Sequence, residues 1–145
     1  LLSKHTATTT RFDADLEKHG EWIKQRFIDE KSKSRRIFGL VHWRHGKRHG
    51  ASTHWYKNCQ IGCLCHFVND KLEGEVKHWH GNGSLLTKTH CRNGIFDGEH
   101  SEWHANGKLS KHFLYVKGRI EGERKEWHDN GQLKAKSMFV GDKQN

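Results

Sequence analysis

A spacing of 24 residues runs through this chain and constrains its fold more than any other feature. Gly50, Gly74, Gly98 and Gly122 keep that spacing, as do Trp55, Trp79, Trp103 and Trp127. Gly83, Gly107 and Gly131 follow it, with Cys59 in the earlier slot. Ile37, Ile61, Leu85, Leu109 and Leu133 carry it one unit further towards the N-terminus. Another column holds Gly46, Gly94 and Gly118, with Asp70 substituting and Gly141 one residue early. A short cassette copied end to end cannot bury its apolar side alone, so neighbouring copies must stack.

One unit reads G-E-x-x-x-W-H-x-N-G-x-L, then a mixed stretch, then a second turn. Asn-Gly recurs at 82–83, 106–107 and 130–131. Between alternating segments it signals a hairpin, because both turn residues tolerate φ > 0. Asn93-Gly94 and Lys117-Gly118 mark the second turn. Each unit is therefore expected to be two strands and two tight turns, and joined units an all-β, open antiparallel meander. Leu85, Thr87, Thr89 and Cys91 alternate along one strand. Their copies hold Trp43, Phe67, Tyr115 and Phe139 in the Cys91 column, and Val41, Cys65 and Phe113 in the Thr89 column, so this is the more apolar face. The Trp column joins it if the Asn-Gly loop counts three residues and opposes it if the loop counts two. Concentration of apolar area favours Trp and Leu together. Leu72, Phe96 and Ile120 have the wrong parity relative to Trp, which a bulge at the following Gly would reconcile.

The segments 74–85, 98–109 and 122–133 resemble the MORN repeat, in the variant form found in bacterial antitoxin-like proteins and large DNA viruses of amoebae. The resemblance extends over 37–145. It implies an elongated, twisted, open antiparallel sheet used for scaffolding, protein contact or membrane-proximal attachment, normally without catalysis. The organisation that follows is an N-terminal extension over 1–20, irregular or a short helix, then a degenerate first hairpin over 21–49. Four units follow at 50–73, 74–97, 98–121 and 122–145. Phe12, Leu16, Ile23 and Phe27 fit a helical stripe over 11–30, but 21–28 is favoured as a strand. The unit before 50 has Lys31 where Trp is due. Phe27 fills that place if the loop 28–34 carries a four-residue insertion.

Composition sets the limits. Only 32% of residues are hydrophobic, mean hydropathy is −1.00, and formal net charge is +9. Such a chain has room for one domain with a thin core. No apolar run approaches the ~20 residues that cross a bilayer as a helix. The start at Leu1 shows no secretory pattern and is read as lying downstream of the natural beginning. Clustered cysteines with no such signal favour reduced thiols and an intracellular, cytoplasmic setting.

Candidate sites are few. Trp55, Trp79, Trp103, Trp127, Phe67, Tyr115 and Phe139 form the expected aromatic binding face. Arg35, Arg36, Arg44, Lys47 and Arg48 form the basic patch, which would serve nucleic acid or an acidic membrane surface. Cys59, Cys63, Cys65 and His66 are a weak metal set, since His66 points away from Cys63 and Cys65 on a strand and no CxxC knuckle occurs; free thiols are favoured. A Cys63–Cys65 disulfide is disfavoured, because strand positions i and i+2 lie about 6.5–7 Å apart at Cα. His80, His104 and His128 read as amphipathic surface side chains. The acidic residues recur with the period, which fits a solvated face better than a catalytic pair. No nucleophile elbow or phosphate loop is present. The expected function is a non-catalytic scaffold or adaptor making protein contacts in a larger assembly, a large DNA virus particle being one such assembly. The alternatives are an antitoxin-like protein binder and a basic module for nucleic acid or lipid headgroups. No cofactor and no small-molecule substrate is expected.

Overall fold

The computed structural model describes residues 22–29, 36–141 and 143–144. They form β1 (Trp22–Asp29), β2 (Arg36–Arg44), β3 (Lys47–Trp55), β4 (Ile61–Val68), β5 (Lys71–Leu72), β6 (Gly74–Trp79), β7 (Leu85–Arg92), β8 (Ile95–Trp103), β9 (Leu109–Val116), β10 (Arg119–Trp127), β11 (Leu133–Val140) and β12 (Lys143–Gln144). All join one antiparallel sheet in chain order, with the two-residue β5 pairing β4 just ahead of β6. Among the described residues there is no helix. The expected all-β open meander is thus the fold. The helix considered for 11–19 lies outside the described residues, whereas the strand expected over 21–28 is β1.

The two turns of a unit are chemically different. His45-Gly46, Asn69-Asp70, Asn93-Gly94 and Lys117-Gly118 all have positive φ at both positions, between 48° and 82°. That is the two-residue turn whose twist matches the flanking strands. The Asn-Gly pair is not such a turn: Gly83, Gly107 and Gly131 have φ of 88°, 83° and 91°, but their Asn neighbours do not enter the left-handed region. Residues 81–83 lie between His80 and Ser84, whose backbone bond (2.8 Å) closes the loop. The Asn82 side-chain oxygen accepts the Ser84 N–H at 2.9 Å, and Asn106 and Asn130 repeat this with Lys108 and Gln132. The Asn therefore builds the loop with its side chain.

Cys59 fills the Gly slot of the first such loop at φ 66°. A Cβ there costs about 1–2 kcal/mol, while glycine costs roughly 0.5–1 kcal/mol through the freer unfolded chain. Strain wins, so Cys59→Gly is expected to stabilise the protein by about 0.5–1 kcal/mol, read as a higher urea midpoint at unchanged slope.

Faces follow from register. Val76 opposes Thr89, Thr89 opposes His100, and His100 opposes Phe113. This first face holds the buried residues Phe67, Val76, Thr89, Cys91 and Phe113. Trp79, Trp103 and Trp127 oppose Leu85, Leu109 and Leu133, and Trp55 opposes Ile61, so Trp and Leu share a face as expected. Each pair, however, follows a slip: His78 opposes Thr87 while Trp79 opposes Leu85. The Trp strand keeps its alternation, so the extra residue is taken up on the Leu strand and the Trp–Leu pair leaves the face of Val76 and His78. A Cβ at Gly62, the bulge position, would meet His54 and the Tyr56 ring at 3.2 Å, which places the bulge residue with His54 and Cys63. The Leu column thus parts from Thr87, Thr89 and Cys91, correcting the sequence reading.

The slip expected near Gly98 is also present, between the Thr89–His100 and Cys91–Phe96 pairs. It absorbs two residues rather than one, so parity survives. Phe96 stacks on Tyr115 of the first face, with centroids 5.2 Å apart, and stays opposite the Trp row. At the first hairpin, Ile28 opposes Ile37 and Phe27 opposes Gly39. Ile28, not Phe27, takes the Trp position.

Candidate functional site

The second face is a charged band between apolar margins. At the long-loop end stand the Trp–Leu pairs, with Trp55, Trp79, Trp103 and Trp127 half-buried and Leu133 55% exposed. At the short-turn end Val68, Ile95, Leu114, Val116, Met138 and Val140 are all exposed. Their strands have no apolar side chains left to cover them, because the sheet is one layer thick. Between the margins Glu75 receives Lys77 (2.6 Å) and Lys88 (2.7 Å), and one repeat pair later Glu123 receives Lys125 (2.5 Å) and Lys136. Exposed pairs of this kind add little stability each.

Hydrogen bonds from Lys77 and then Lys88 hold the Glu75 carboxyl down at about 2. A carboxyl depressed in the folded state stabilises above its unfolded value near 4.5 and loses that contribution as pH falls towards 2. Acid destabilisation between pH 4.5 and 2 is therefore expected to be shallower in Glu75→Gln, and the difference is expected to shrink in high salt, as followed by urea midpoints against pH.

The first face gathers aromatic and ionic groups into one cluster. Phe113 packs against His100 (4.6 Å) and Tyr115 (5.2 Å), and the Arg124 guanidinium lies over Phe113 (5.6 Å) and Phe139 (6.0 Å). Arg124 reaches Glu126, while Glu102 takes Lys111 (2.9 Å) and His100 (3.1 Å). Burial pushes Glu102 up, but the hydrogen bonds of Lys111 and His100 outweigh it and leave the carboxyl below its usual range.

Two ladders tie successive units. His80 Nε2 and His104 Nε2 each donate to the backbone carbonyl of the next Trp, Trp103 and Trp127, at 2.9 Å, and Tyr56 does the same to Trp79 at 2.7 Å. Asn58, Asn82 and Asn106 donate their amides to the next long loop at 2.7–2.9 Å. His80 and His104 are thus structural clasps rather than idle surface groups. The second ladder escaped the sequence reading. Glu73 accepts the Asn93 N–H (2.7 Å), Glu121 the Gly141 N–H (2.8 Å) and Asp97 the Lys117 N–H (3.4 Å). Its signal was present as an acidic residue before each unit-starting Gly at 73, 97 and 121.

The expected sites fare unevenly. Phe67, Tyr115 and Phe139 share the first face, and the four Trp lie on the second, so the aromatic set is two rows on opposite faces. In the basic patch, Arg35 lies outside the described residues, Arg36 opens β2, and Arg44 opposes Lys47 across the first short turn. Arg48 is committed elsewhere: its N–H (2.8 Å) and Nε (3.2 Å) hold the Asp70 carboxylate. These two departures from the repeat, Arg48 in the Leu72 column and Asp70 in the Gly94 column, are thus partners. The Arg48 backbone bond first, and its side chain after it, pull the Asp70 carboxyl below its usual value. Cys59 sits in an exposed loop, and His66 opposes Ala51 on the second face, away from Cys63 and Cys65. Among the described residues no three His, Cys, Asp or Glu side chains are grouped to hold a metal ion.

Residues 72–93, 96–117 and 120–140 match the family model of the MORN repeat variant. A comparison with curated proteins finds no matching one. Among the described residues no helix is long and apolar enough to cross a membrane.

Proposed function

We propose that this chain, a run of MORN repeat variants over residues 72–140, acts as a non-catalytic scaffold or adaptor that docks a protein partner within a larger assembly. MORN repeats are protein- or membrane-binding repeat modules. The observation that carries the reading is the short-turn margin of the second face, where Ile95, Leu114, Val116, Met138 and Val140 are 40–57% exposed on one side of a single sheet. Monomers seldom keep so many apolar side chains together without a use. A phosphate-binding role has less support, because Arg48 is tied to Asp70 and the lysines at 77, 88, 125 and 136 are paired with glutamates.

The test is the chain copurified with its assembly, followed by cross-linking and a salt titration. Docking through the apolar margin predicts cross-links from Lys117 and Lys136, retention at high salt, and loss in a Leu114→Glu, Met138→Glu variant. Release at moderate salt, the mark of phosphate-driven binding, or full retention by that variant would overturn the reading.

A further inference from the structure

Cys63 and Cys65 stand two residues apart on β4 and project from the first face. Across β3, Cys65 faces Ser52 and Cys63 faces His54; across β6, Cys63 faces His78. Arg48, also on β3, reaches over the neighbouring Phe67 ring, 4.2 Å from its centroid. Both thiols are half-buried, whereas Cys91 is buried and Cys59 exposed.

We propose that Cys65 is a site of reversible S-thiolation by small disulfides, with Cys63 as the positioning residue that donates its S–H to the Cys65 sulfur. In the step, the Cys65 thiolate attacks one sulfur of the disulfide. The old S–S bond breaks, a mixed disulfide forms on Cys65, and the second thiol departs as a thiolate and is protonated by water. The protein sulfur is oxidised and the departing thiol reduced, so the exchange balances without a further reagent.

The surroundings favour this partition of roles. The hydrogen bond from Cys63 draws Cys65 down to about 7 against its burial, helped by the Ser52 hydroxyl and the Arg48 charge. The same contact, with burial, drives Cys63 upward, so the shared proton stays there. The other titratable groups bearing on the pair are His54, His78 and Cys91, the last feeling the charge of Cys65. An internal Cys63–Cys65 bridge does not displace the incoming thiol easily, since i,i+2 strand positions lie about 6.5–7 Å apart, at the limit for a disulfide. An adduct on Cys65 would sit on the first face beside Ser52 and alter the seam between the units at 50–73 and 74–97.

The test treats the reduced full chain with glutathione disulfide from pH 6 to pH 8 and maps adducts by peptide mass. At pH 7 about half of Cys65 is thiolate against about 3% of an ordinary thiol, a ~15-fold gain that lower intrinsic nucleophilicity trims to ~3-fold. The expected result is first modification at Cys65, about threefold faster than a free thiol at pH 7, with a rate inflection near pH 7. Cys63→Ala is expected to slow the reaction and raise the inflection, whereas Cys63→Ser, whose hydroxyl still donates, keeps both. First modification at Cys59 or Cys63, or identical behaviour of the two Cys63 variants, would overturn the proposal.

Discussion

Phe113→Ala is expected to destabilise the protein by roughly 3 kcal/mol, the largest loss from any single side chain of the sheet. Phe113 is 6% exposed although only one sheet is present, because its cover comes from its own neighbours: His100, Tyr115 and the Arg124 guanidinium. Removing the ring leaves a cavity and also strips Arg124 of one of its two aromatic contacts. The Arg124 Nε is already buried without a hydrogen-bond partner, so the loss would compound there. Chemical denaturation reads the effect directly. Phe139→Ala, at the next repeat, should cost less, since β11 is paired on its outer side only at Phe139–Gln144 and Val140–Lys143. Equal losses at the two positions would show that the cluster around Phe113 has no special weight.

Gly98→Ala comes next, at about 2–4 kcal/mol. Gly98 has φ 126°, and an added Cβ would lie 3.0 Å from the Cβ of His90, an atom close to the backbone that cannot swing aside. Gly74 is its copy one unit earlier, with φ 83° and open space where a Cβ would go. Gly74→Ala should therefore cost only the left-handed strain, about 1–2 kcal/mol, partly offset by a stiffer unfolded chain. The contrast separates backbone strain from crowding at two positions that the sequence makes equivalent.

Much of the fold was legible because the repeat fixes several things at once. The Gly columns marked the turns and bulges, and the Leu and Trp columns marked strand ends that meet. What parity alone could not decide was how many residues each slip absorbs. One at Trp79 and two near Gly98 look alike in sequence, yet the first moves a side chain to the other face and the second does not. Asn82 looked like a two-residue turn former because Asn-Gly serves that role elsewhere; in this loop its side chain does the work. The acid column at 73, 97 and 121 was overlooked because periodic charge was read as solvated surface. For the site, the half-buried dithiol was visible as a spacing, but its asymmetry depends on Ser52 and Arg48, which only strand pairing brings alongside. The exposed margin at 114, 116, 138 and 140 is an alternating pattern too, hidden by the lysines and histidines that hold the same columns in earlier units.

The central claim is that each cassette depends on its neighbours alone. Deleting residues 98–121 joins Asp97 to Gly122 and restores an acid–Gly junction, leaving every remaining turn, Trp and Leu in step. Equilibrium unfolding of this variant, followed by hydrogen exchange, is predicted to show a β-sheet that still unfolds cooperatively, weakened by about one unit, with the loop ladder running from the unit at 74–97 directly into the unit at 122–145. Loss of cooperative unfolding and of amide protection throughout the shortened chain would contradict it.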